Sequence, residues 1–347
     1  MSTVIHNKTL VMSILYWYSV YTLHTGDQMA RTNIPVLDLE DYLSDDLTRK
    51  SKFVEELGEA LIDIGFFSLT NHGIDLEHID EAYAVAEEFF ALSADTKAKY
   101  ENKDGPKQRG HIPFGIEAAK GFTTPDLKEF WQTGRRLSAD NPHFESIPPN
   151  IWPDEDLESF RPAIDGLYKK MDHLGVLLLE ACALYLQKDK NWFVDMAQDG
   201  NTILRVIHYP PISPDADPNA VRAAQHEDIN FITLLVGATA DGLEVMDHDG
   251  EWIPVQGKHD HIIVDTGDMI QNITNGLYKA ITHRVVNPTD AKGDRYSMPL
   301  FVHPRPDVDL SPRPEFFERT GGEAKYPNIS AGDYLEQRLR EIGLQKD

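Results

Sequence analysis

The length, charge and cysteine content of this chain exclude several classes of protein. Its 347 residues are enough for one large domain or two small ones. The net charge of −24 would repel the phosphates of nucleic acids and of anionic membranes, so we expect neither as a partner. The single cysteine, Cys182, excludes disulfides within the chain and thiolate metal clusters, which fits a reducing cytoplasm.

The first 28 residues need a separate interpretation. Residues 9–23 are almost entirely apolar, as in a signal peptide or a membrane anchor. This stretch is shorter than the roughly 20 residues of a spanning helix, only Lys8 flanks it, and no small-residue cleavage site follows. A third interpretation, which we prefer, is that translation begins at Met29. Residues 1–28 are therefore predicted to be a non-native or disordered leader, and residues 29–347 a single domain.

From residue 34 to about residue 195, the pattern is mainly helical. Apolar residues recur at steps of three and four, which indicates amphipathic helices. Residues 99–122 are rich in glycine and charge, and we predict a long loop that serves as a lid or a substrate-binding wall. The other predicted elements of this part are strands at residues 34–39 and 66–70 and helices at about 53–64, 76–92 and 157–181.

The pattern then changes to short strands. Apolar segments are separated by turn residues with no helix between them, which is typical of a double-sheet jelly roll of the cupin kind. We predict a mostly β core with flanking helices: a jelly-roll, cupin-like barrel (a double-stranded β-helix) at about residues 200–305. A C-terminal helix at about residues 331–343 begins with the capping box at Ser330. The predicted strands are residues 203–209, 229–236, 243–246, 252–255, 261–264, 269–271, 283–286 and 296–302.

Three residues in this half have the chemistry of an iron site. His226 and Asp228 are two positions apart, so in a strand both side chains point to the same face, and His283 begins a later strand. Two imidazoles and one carboxylate are the facial set that binds Fe(II) and leaves three coordination positions open. The alternative is a chance H-x-D among 14 histidines, as we interpret His259-x-His261.

A second pair of side chains follows His283. Arg295 and Ser297 are also two positions apart in a predicted strand, so they share one face. A guanidinium forms paired, charge-assisted hydrogen bonds with a carboxylate, and a neighbouring hydroxyl adds another donor. The pair therefore indicates a site for an organic acid beside the metal, with a surface salt bridge as the alternative for Arg295.

Together these motifs resemble the isopenicillin N synthase-like family of 2-oxoglutarate/Fe(II)-dependent oxygenases. The resemblance covers roughly residues 33–344. Each short motif is weak by itself, but the combination is specific. The matching segments are residues 34–39 (IPVLDL), 65–67 (GFF), 71–73 (NHG), 209–211 (YPP), 226–228 (HED), 275–276 (NG), 283–285 (HRV), 295–297 (RYS) and 331–335 (AGDYL).

The resemblance implies a role for each site residue. His226, Asp228 and His283 would bind Fe(II), and Arg295 would pair with the distal carboxylate of 2-oxoglutarate, assisted by Ser297 and Tyr209. Tyr209 could instead be an ordinary aromatic residue of the barrel. The cofactors implied are Fe(II), the co-substrate 2-oxoglutarate and O₂, with ascorbate as a candidate reductant.

The activity implied couples the decarboxylation of 2-oxoglutarate to succinate with hydroxylation or desaturation of a small molecule. The alternatives are an iron oxidase of the isopenicillin N synthase type that uses no 2-oxo acid, an ethylene- or succinate-forming enzyme, and a non-catalytic cupin-like binding protein. We expect a cytoplasmic monomer or weak homo-oligomer with a small-molecule substrate and no nucleic-acid or membrane partner.

The predicted loop contains candidate substrate contacts. They are Arg109, His111, Phe114, Glu117 and Lys120, with Phe130 and Trp131 beyond it. The two basic side chains suggest an anionic or amino-acid-like substrate, although solvated loop charge explains them as well.

Overall fold

The protein is described by a computed structural model, which covers residues 34–344 except 104–106, 120–123, 214, 218–219, 248 and 288–292. The predicted leader, residues 1–28, lies outside the described residues. Asn33–Asp347 form one compact unit. The α-helices are α1 (Leu39–Leu43), α2 (Leu47–Asp63), α3 (Leu76–Ala91), α4 (Ala94–Lys97), α5 (Phe160–Tyr185), α6 (Trp192–Ala197), α7 (Asp268–Ile273) and α8 (Ala331–Glu341).

The strands form two sheets. Eight strands pair in the order β1-β2-β10-β7-β12-β5-β4-β3, and four pair in the order β6-β11-β8-β9. Neighbouring strands are antiparallel except β1 and β2. The strands are β1 (Val36–Asp38), β2 (Phe66–Thr70), β3 (Gly110–Ile112), β4 (Glu129–Gly134), β5 (Ile203–Tyr209), β6 (Ala223–His226), β7 (Ile232–Val236), β8 (Leu243–Met246), β9 (Trp252–Pro254), β10 (Ile262–Thr266), β11 (His283–Val285) and β12 (Arg295–Val302).

Two of the longer helices, α2 and α5, pack against the larger sheet, and α2 does so at β1 and β2. The longest, α5, contacts α2, α3, β7 and β12, and its apolar stripe is buried there. Side-chain oxygens cap the starts of several helices, because the first N–H groups of a helix have no partner within it. Asp46 accepts a hydrogen bond from the Thr48 amide at 2.8 Å, and Ser330 accepts one from the Asp333 amide at 3.1 Å. Ser330 is therefore the N-cap of the C-terminal helix, as predicted, and its hydroxyl donates to the Asp333 carboxylate at 2.7 Å.

The larger sheet includes strands that the sequence did not reveal. β3 lies within the segment predicted as a long loop, and β4 follows that segment. Because β3 pairs with β4 and β4 pairs with β5, both belong to the larger sheet. The prediction of an unbroken loop at residues 99–122 was wrong. Its glycine and charge content hid the short strand, which is stabilised by pairing with the fully buried β4 and not by a local pattern.

Two other predictions about elements also differ from the structure. Residues 269–271, predicted as a strand, lie in α7, because a short apolar run is equally compatible with a buried helical turn. The strand predicted at residues 229–236 begins only at Ile232, and the preceding strand β6 ends at His226.

The two sheets are separate, since no strand pairing joins them among the described residues. The described core thus consists of two sheets, as the predicted double-sheet jelly roll requires, and the described strands do not close into a continuous barrel.

Candidate active site

The predicted metal ligands converge at one point between the two sheets. His226 ends β6 and His283 begins the neighbouring β11, and the two residues are directly paired across the ladder. One potential ligand atom from each of His226, Asp228 and His283 lies within 4.8 Å of the others. Both imidazole Nε2 atoms lie 3.7 Å from Asp228 Oδ1. The strand pairing therefore brings together residues that are 57 positions apart in sequence.

Backbone carbonyls fix the tautomer of both imidazoles. His226 Nδ1 donates to the Ala224 carbonyl at 2.7 Å, and His283 Nδ1 donates to the Ile281 carbonyl at 3.1 Å. Because a carbonyl can only accept, each Nδ1 carries a hydrogen, and Nε2 is the nitrogen left to bind a metal. Burial, followed by the neighbouring His283, lowers the pKa of His226, so this ring is neutral at pH 7.

The position of Asp228 in the fold differs from the predicted one. We expected Asp228 in a strand with His226, but it lies in the connection between β6 and β7. The hydroxyl of Thr233 donates to Asp228 Oδ2, and Asn230 Nδ2 donates to that hydroxyl at 2.8 Å. The orientation of the carboxylate thus comes from side-chain hydrogen bonds and not from the alternation of a strand. Nothing in the sequence pattern marks Thr233 or Asn230 for this role.

Arg295, Ser297 and Tyr209 line the same cavity as the three candidate ligands, which we call the inner cavity. Arg295 and Tyr209 are paired across β12 and β5, and the guanidinium carbon lies 4.9 Å from the centre of the tyrosine ring. All three side chains are buried. Arg295 Nε donates to the Ala240 carbonyl at 3.1 Å, whereas Nη1 is buried without a partner among the described residues.

These residues fit Fe(II) and an organic acid. Two imidazole nitrogens and a carboxylate oxygen are suitable donors for Fe(II), and only one face of the ion would be occupied. A buried guanidinium N–H without an acceptor costs free energy, so the unpartnered Nη1 of Arg295 favours an anionic ligand in the inner cavity. The surface salt bridge considered for Arg295 is excluded by its burial.

Comparison with known proteins identifies the family. The profile of the 2OG-Fe(II) oxygenase superfamily matches residues 200–304, and that of the N-terminal region of non-haem dioxygenases in morphine synthesis matches residues 34–155. A 2-oxoglutarate-Fe(II) type oxidoreductase of Emericella nidulans is 31% identical over 90% of this chain and 91% of its own. The chain belongs to the 2OG-Fe(II) oxygenase superfamily. The predicted membership in its isopenicillin N synthase-like group is confirmed.

Solved structures of this superfamily share the fold of the protein. A 2OG-Fe(II) oxygenase family protein from Caulobacter crescentus is 37% identical, with a TM-score of 0.78 over 90% of this chain and 99% of its own. A Neurospora crassa protein in complex with alpha-KG and thymine is 28% identical, with a TM-score of 0.77 over 88% and 96% of the two chains. The predicted jelly roll is confirmed. The oxygenase is a 2-oxoglutarate-dependent dioxygenase that uses Fe(II), 2-oxoglutarate and O₂.

A second cavity of the oxygenase, which we call the outer cavity, begins at the candidate metal ligands. His226 and Asp228 line both cavities, as do Lys128 and Arg205. The outer cavity extends to Glu117 and to the C-terminal helix α8. Four apolar side chains near the C-terminus also line it: Leu335, Leu339, Ile342 and Leu344. The sequence did not indicate Lys128, Arg205 or this helix as parts of the candidate site, because no motif connects them with the candidate ligands.

The candidate substrate contacts predicted from the sequence lie in different parts of the structure, and most of them do not line either cavity. Arg109 is fully buried and donates to Asn201 Oδ1 at 2.6 Å, so it is not a solvated charge, and it lines neither cavity. His111 pairs with Glu129 at 2.9 Å, and Phe114 is exposed. Phe130 and Trp131 are buried in β4, and Lys120 lies outside the described residues. Of this group, Glu117 is the residue that lines the outer cavity.

Proposed function

We propose that His226, Asp228 and His283 bind the Fe(II) of this dioxygenase, and that Arg295, Ser297 and Tyr209 bind 2-oxoglutarate. The observation that carries the assignment is the convergence of one ligand atom from each of the three residues within 4.8 Å, with both imidazoles in the tautomer that a metal needs. The buried, unpartnered Nη1 of Arg295 supports the co-substrate site in the same cavity.

Each residue then has a defined task. Bound iron and 2-oxoglutarate supply the oxidation itself, in which the co-substrate becomes succinate and CO₂ and a substrate C–H bond is attacked. The two imidazole nitrogens and one Asp228 oxygen would hold the ion, and three protein ligands would leave positions for the co-substrate and O₂. Arg295 orients the distal carboxylate by charge-assisted hydrogen bonds, and the buried walls exclude water.

The substrate is a small molecule in the outer cavity, close to the metal centre, and the product is its hydroxylated or desaturated derivative. The outer cavity supports this proposal because His226 and Asp228 form part of its wall. The thymine complex of the Neurospora crassa protein shows that a member with the same fold accepts a compact ring. We further propose a cytoplasmic monomer or weak homo-oligomer. The buried single cysteine fits a reducing compartment, and no helix of the described ranges is long and apolar enough to cross a membrane.

The experiment measures succinate and O₂ together. The purified protein is supplied with Fe(II), 2-oxoglutarate and a library of small metabolites, and succinate should form in step with O₂ consumption. Asp228→Ala should reduce both to background, because the ion loses its carboxylate ligand. Asp80→Ala, at an exposed aspartate of α3, should leave both unchanged. Consumption of O₂ without succinate would favour an oxidase of the isopenicillin N synthase type, and full activity in Asp228→Ala would exclude the assigned site.

A further inference from the structure

We propose that Glu117 is a specificity-determining residue of this oxygenase, whose free carboxylate oxygen accepts a hydrogen bond from an N–H or O–H group of a compact, uncharged substrate. This inference rests on the proposed function, in which the substrate lies in the outer cavity beside the metal centre. It adds the chemical class of the substrate and the residue that selects it.

The two carboxylate oxygens of Glu117 have different surroundings. Oε1 accepts from Lys128 Nζ at 2.6 Å and from Arg205 Nη1 at 3.1 Å. Oε2 is buried and has no hydrogen-bond partner in the part of the chain that the structure describes. The side chain is only 8% exposed and forms part of the outer cavity wall. A buried carboxylate oxygen without a donor is unfavourable, so a ligand that brings a donor gains free energy there.

Glu117 remains ionised throughout the working pH range. Burial raises the pKa of its carboxyl, but the charges of Arg205 and Lys128 outweigh burial and lower the pKa to about 2. An ionised carboxylate only accepts hydrogen bonds, whereas a protonated one also donates. The free oxygen therefore selects ligand donors and rejects ligand acceptors at the same position.

The cations around the outer cavity disfavour an anionic substrate. Each of the described arginine and lysine side chains that line it is already paired with a carboxylate, so a substrate carboxylate would have to compete for it. The pairs are Lys128 with Glu117 and Asp126, Arg205 with Glu117, and Arg338 with Glu341 at 2.9 Å and, more distantly, with Asp268 at 3.6 Å. A substrate carboxylate would therefore find no unpaired cation among the described side chains of this cavity, whereas a neutral hydrogen-bond donor needs none.

The acceptor is also held in a fixed position relative to the metal centre. Lys128 links Glu117 to Asp126, whose Oδ1 accepts from the Ala224 amide at 3.0 Å. Ala224 lies in β6, two residues before His226. The Arg205 guanidinium lies 4.2 Å from the centre of the Phe130 ring, which restrains the other partner. A substrate anchored on Glu117 would therefore present the same part of its skeleton to the metal in each binding event.

The test compares pairs of small probes that differ in one donor or one charge. The pairs are thymine with 1,3-dimethylthymine, cyclohexanol with methoxycyclohexane, and cyclohexanecarboxamide with cyclohexanecarboxylate. Binding to the full-length protein with 2-oxoglutarate and Zn(II), in place of Fe(II), is measured by ligand-observed NMR. We expect the N–H or O–H member of the first two pairs, and the amide of the third, to bind about 10- to 100-fold more tightly.

Two variants test whether the Glu117 carboxylate selects the probe. In Glu117→Gln, the amide oxygen can remain with Lys128 and Arg205, which turns the NH₂ group toward the cavity and should abolish or invert the preference. Glu244→Gln, at a carboxylate of β8 that pairs with Arg284 at 2.7 Å and lines neither cavity, is the matched control and should keep the preference. If Glu117→Gln does not fold, the binding of the probe pairs to the unmodified protein still tests the preference for hydrogen-bond donors.

Several outcomes would overturn the inference. They are equal binding of the methylated probes, tighter binding of the carboxylate, no binding of any donor probe, a preference that survives in Glu117→Gln, or one that is lost equally in Glu244→Gln. Failure of the proposed function is visible separately. Without O₂ and without a probe, the unmodified protein should bind Fe(II) and 2-oxoglutarate together, and a failure to bind either would contradict the proposed function and not the role of Glu117.

Discussion

At the scale of single residues, the hydroxyl of Thr233 determines how the proposed carboxylate ligand is presented. It donates to Asp228 Oδ2 and accepts from Asn230 Nδ2. Thr233→Val keeps the shape of the side chain but removes both bonds. We expect the affinity for Mn(II), used in place of Fe(II), to fall about 10- to 100-fold, as for other partners of metal ligands. Electron paramagnetic resonance of free Mn(II) measures the affinity.

A matched threonine provides the control for this prediction. Thr70 donates to the Leu37 carbonyl at the end of β2, and Thr70→Val should leave Mn(II) affinity unchanged. If Thr233→Val binds Mn(II) as tightly as the unmodified protein, the orientation of Asp228 does not depend on this hydroxyl.

His303 makes the stability of the protein depend on pH. It is buried, and burial lowers its pKa from 6.5 to about 4, although Nδ1 donates to the Phe301 carbonyl. The unfolded chain therefore binds a proton more readily than the folded one. The stability present above pH 6.5 is lost as the pH falls toward 4, by about 2 kcal/mol between pH 7 and pH 5.

The variant His303→Asn retains an N–H donor but does not titrate in this range. Urea unfolding of the metal-free protein should show an acid loss of stability that is smaller by about 2 kcal/mol in the variant. His259→Asn, at a histidine whose side chain is 52% exposed, is the control and should keep the full loss. The same acid loss in His303→Asn would mean that this buried imidazole is not responsible.

The sequence predicted the residues that bear the chemistry better than those that position them. His226, Asp228, His283, Arg295 and Ser297 were found from their types and spacing, because residues two apart in a strand share a face. Residues such as Thr233 and Lys128 lack such a signal. Their importance comes from contacts across the fold, and neither a threonine within a strand nor a lysine just before one is unusual in sequence.

At the scale of elements, the C-terminal helix α8 forms both a wall of the outer cavity and part of the core. Leu339 packs in a cluster with Ile207, Tyr209 and Val285, which lie on the strands of the site. The Tyr334 hydroxyl donates to Asp268 Oδ2 at 2.7 Å, and burial raises the pKa of Asp268 to about 7. The helix is thus attached to α7 as well as to the cavity.

Leu339→Ala should loosen this helix. Removing most of a buried leucine typically costs about 2–4 kcal/mol, since a cavity remains. Hydrogen exchange at the backbone amides of α8 should become faster in the variant, whether α8 opens by itself or only when the whole protein unfolds. Leu47→Ala, at a leucine of α2 that is 77% exposed, should change little. Unchanged exchange in Leu339→Ala would indicate that α8 is held by its polar contacts instead.

Elements were predictable where the pattern was long and local. The periodicity of α2, α3 and α5 revealed these helices, and the alternation and turns revealed β5 and β8 to within a residue. The failures were β3, β4 and β6, which are short and depend on pairing with distant strands, and α7, whose few apolar residues suit either structure.

At the scale of the whole molecule, the two-sheet topology makes the site possible. The smaller sheet contributes two of the proposed metal ligands and the larger sheet the proposed carboxylate-binding residues, so neither sheet alone contains a complete site. The jelly roll with its two sheets was predictable from the succession of short strands. The order of the strands within each sheet was not, because it depends on pairing between strands that are distant in the chain.

The central claim is that His226, Asp228 and His283 bind one Fe(II) ion, beside which 2-oxoglutarate is bound. The most direct measurement is an anaerobic titration with Fe(II) followed by 2-oxoglutarate, monitored by the weak visible charge-transfer absorption of the complex. We predict that the band saturates at one iron per chain and is absent in His283→Ala. A band of equal intensity and affinity in His283→Ala would contradict the assignment.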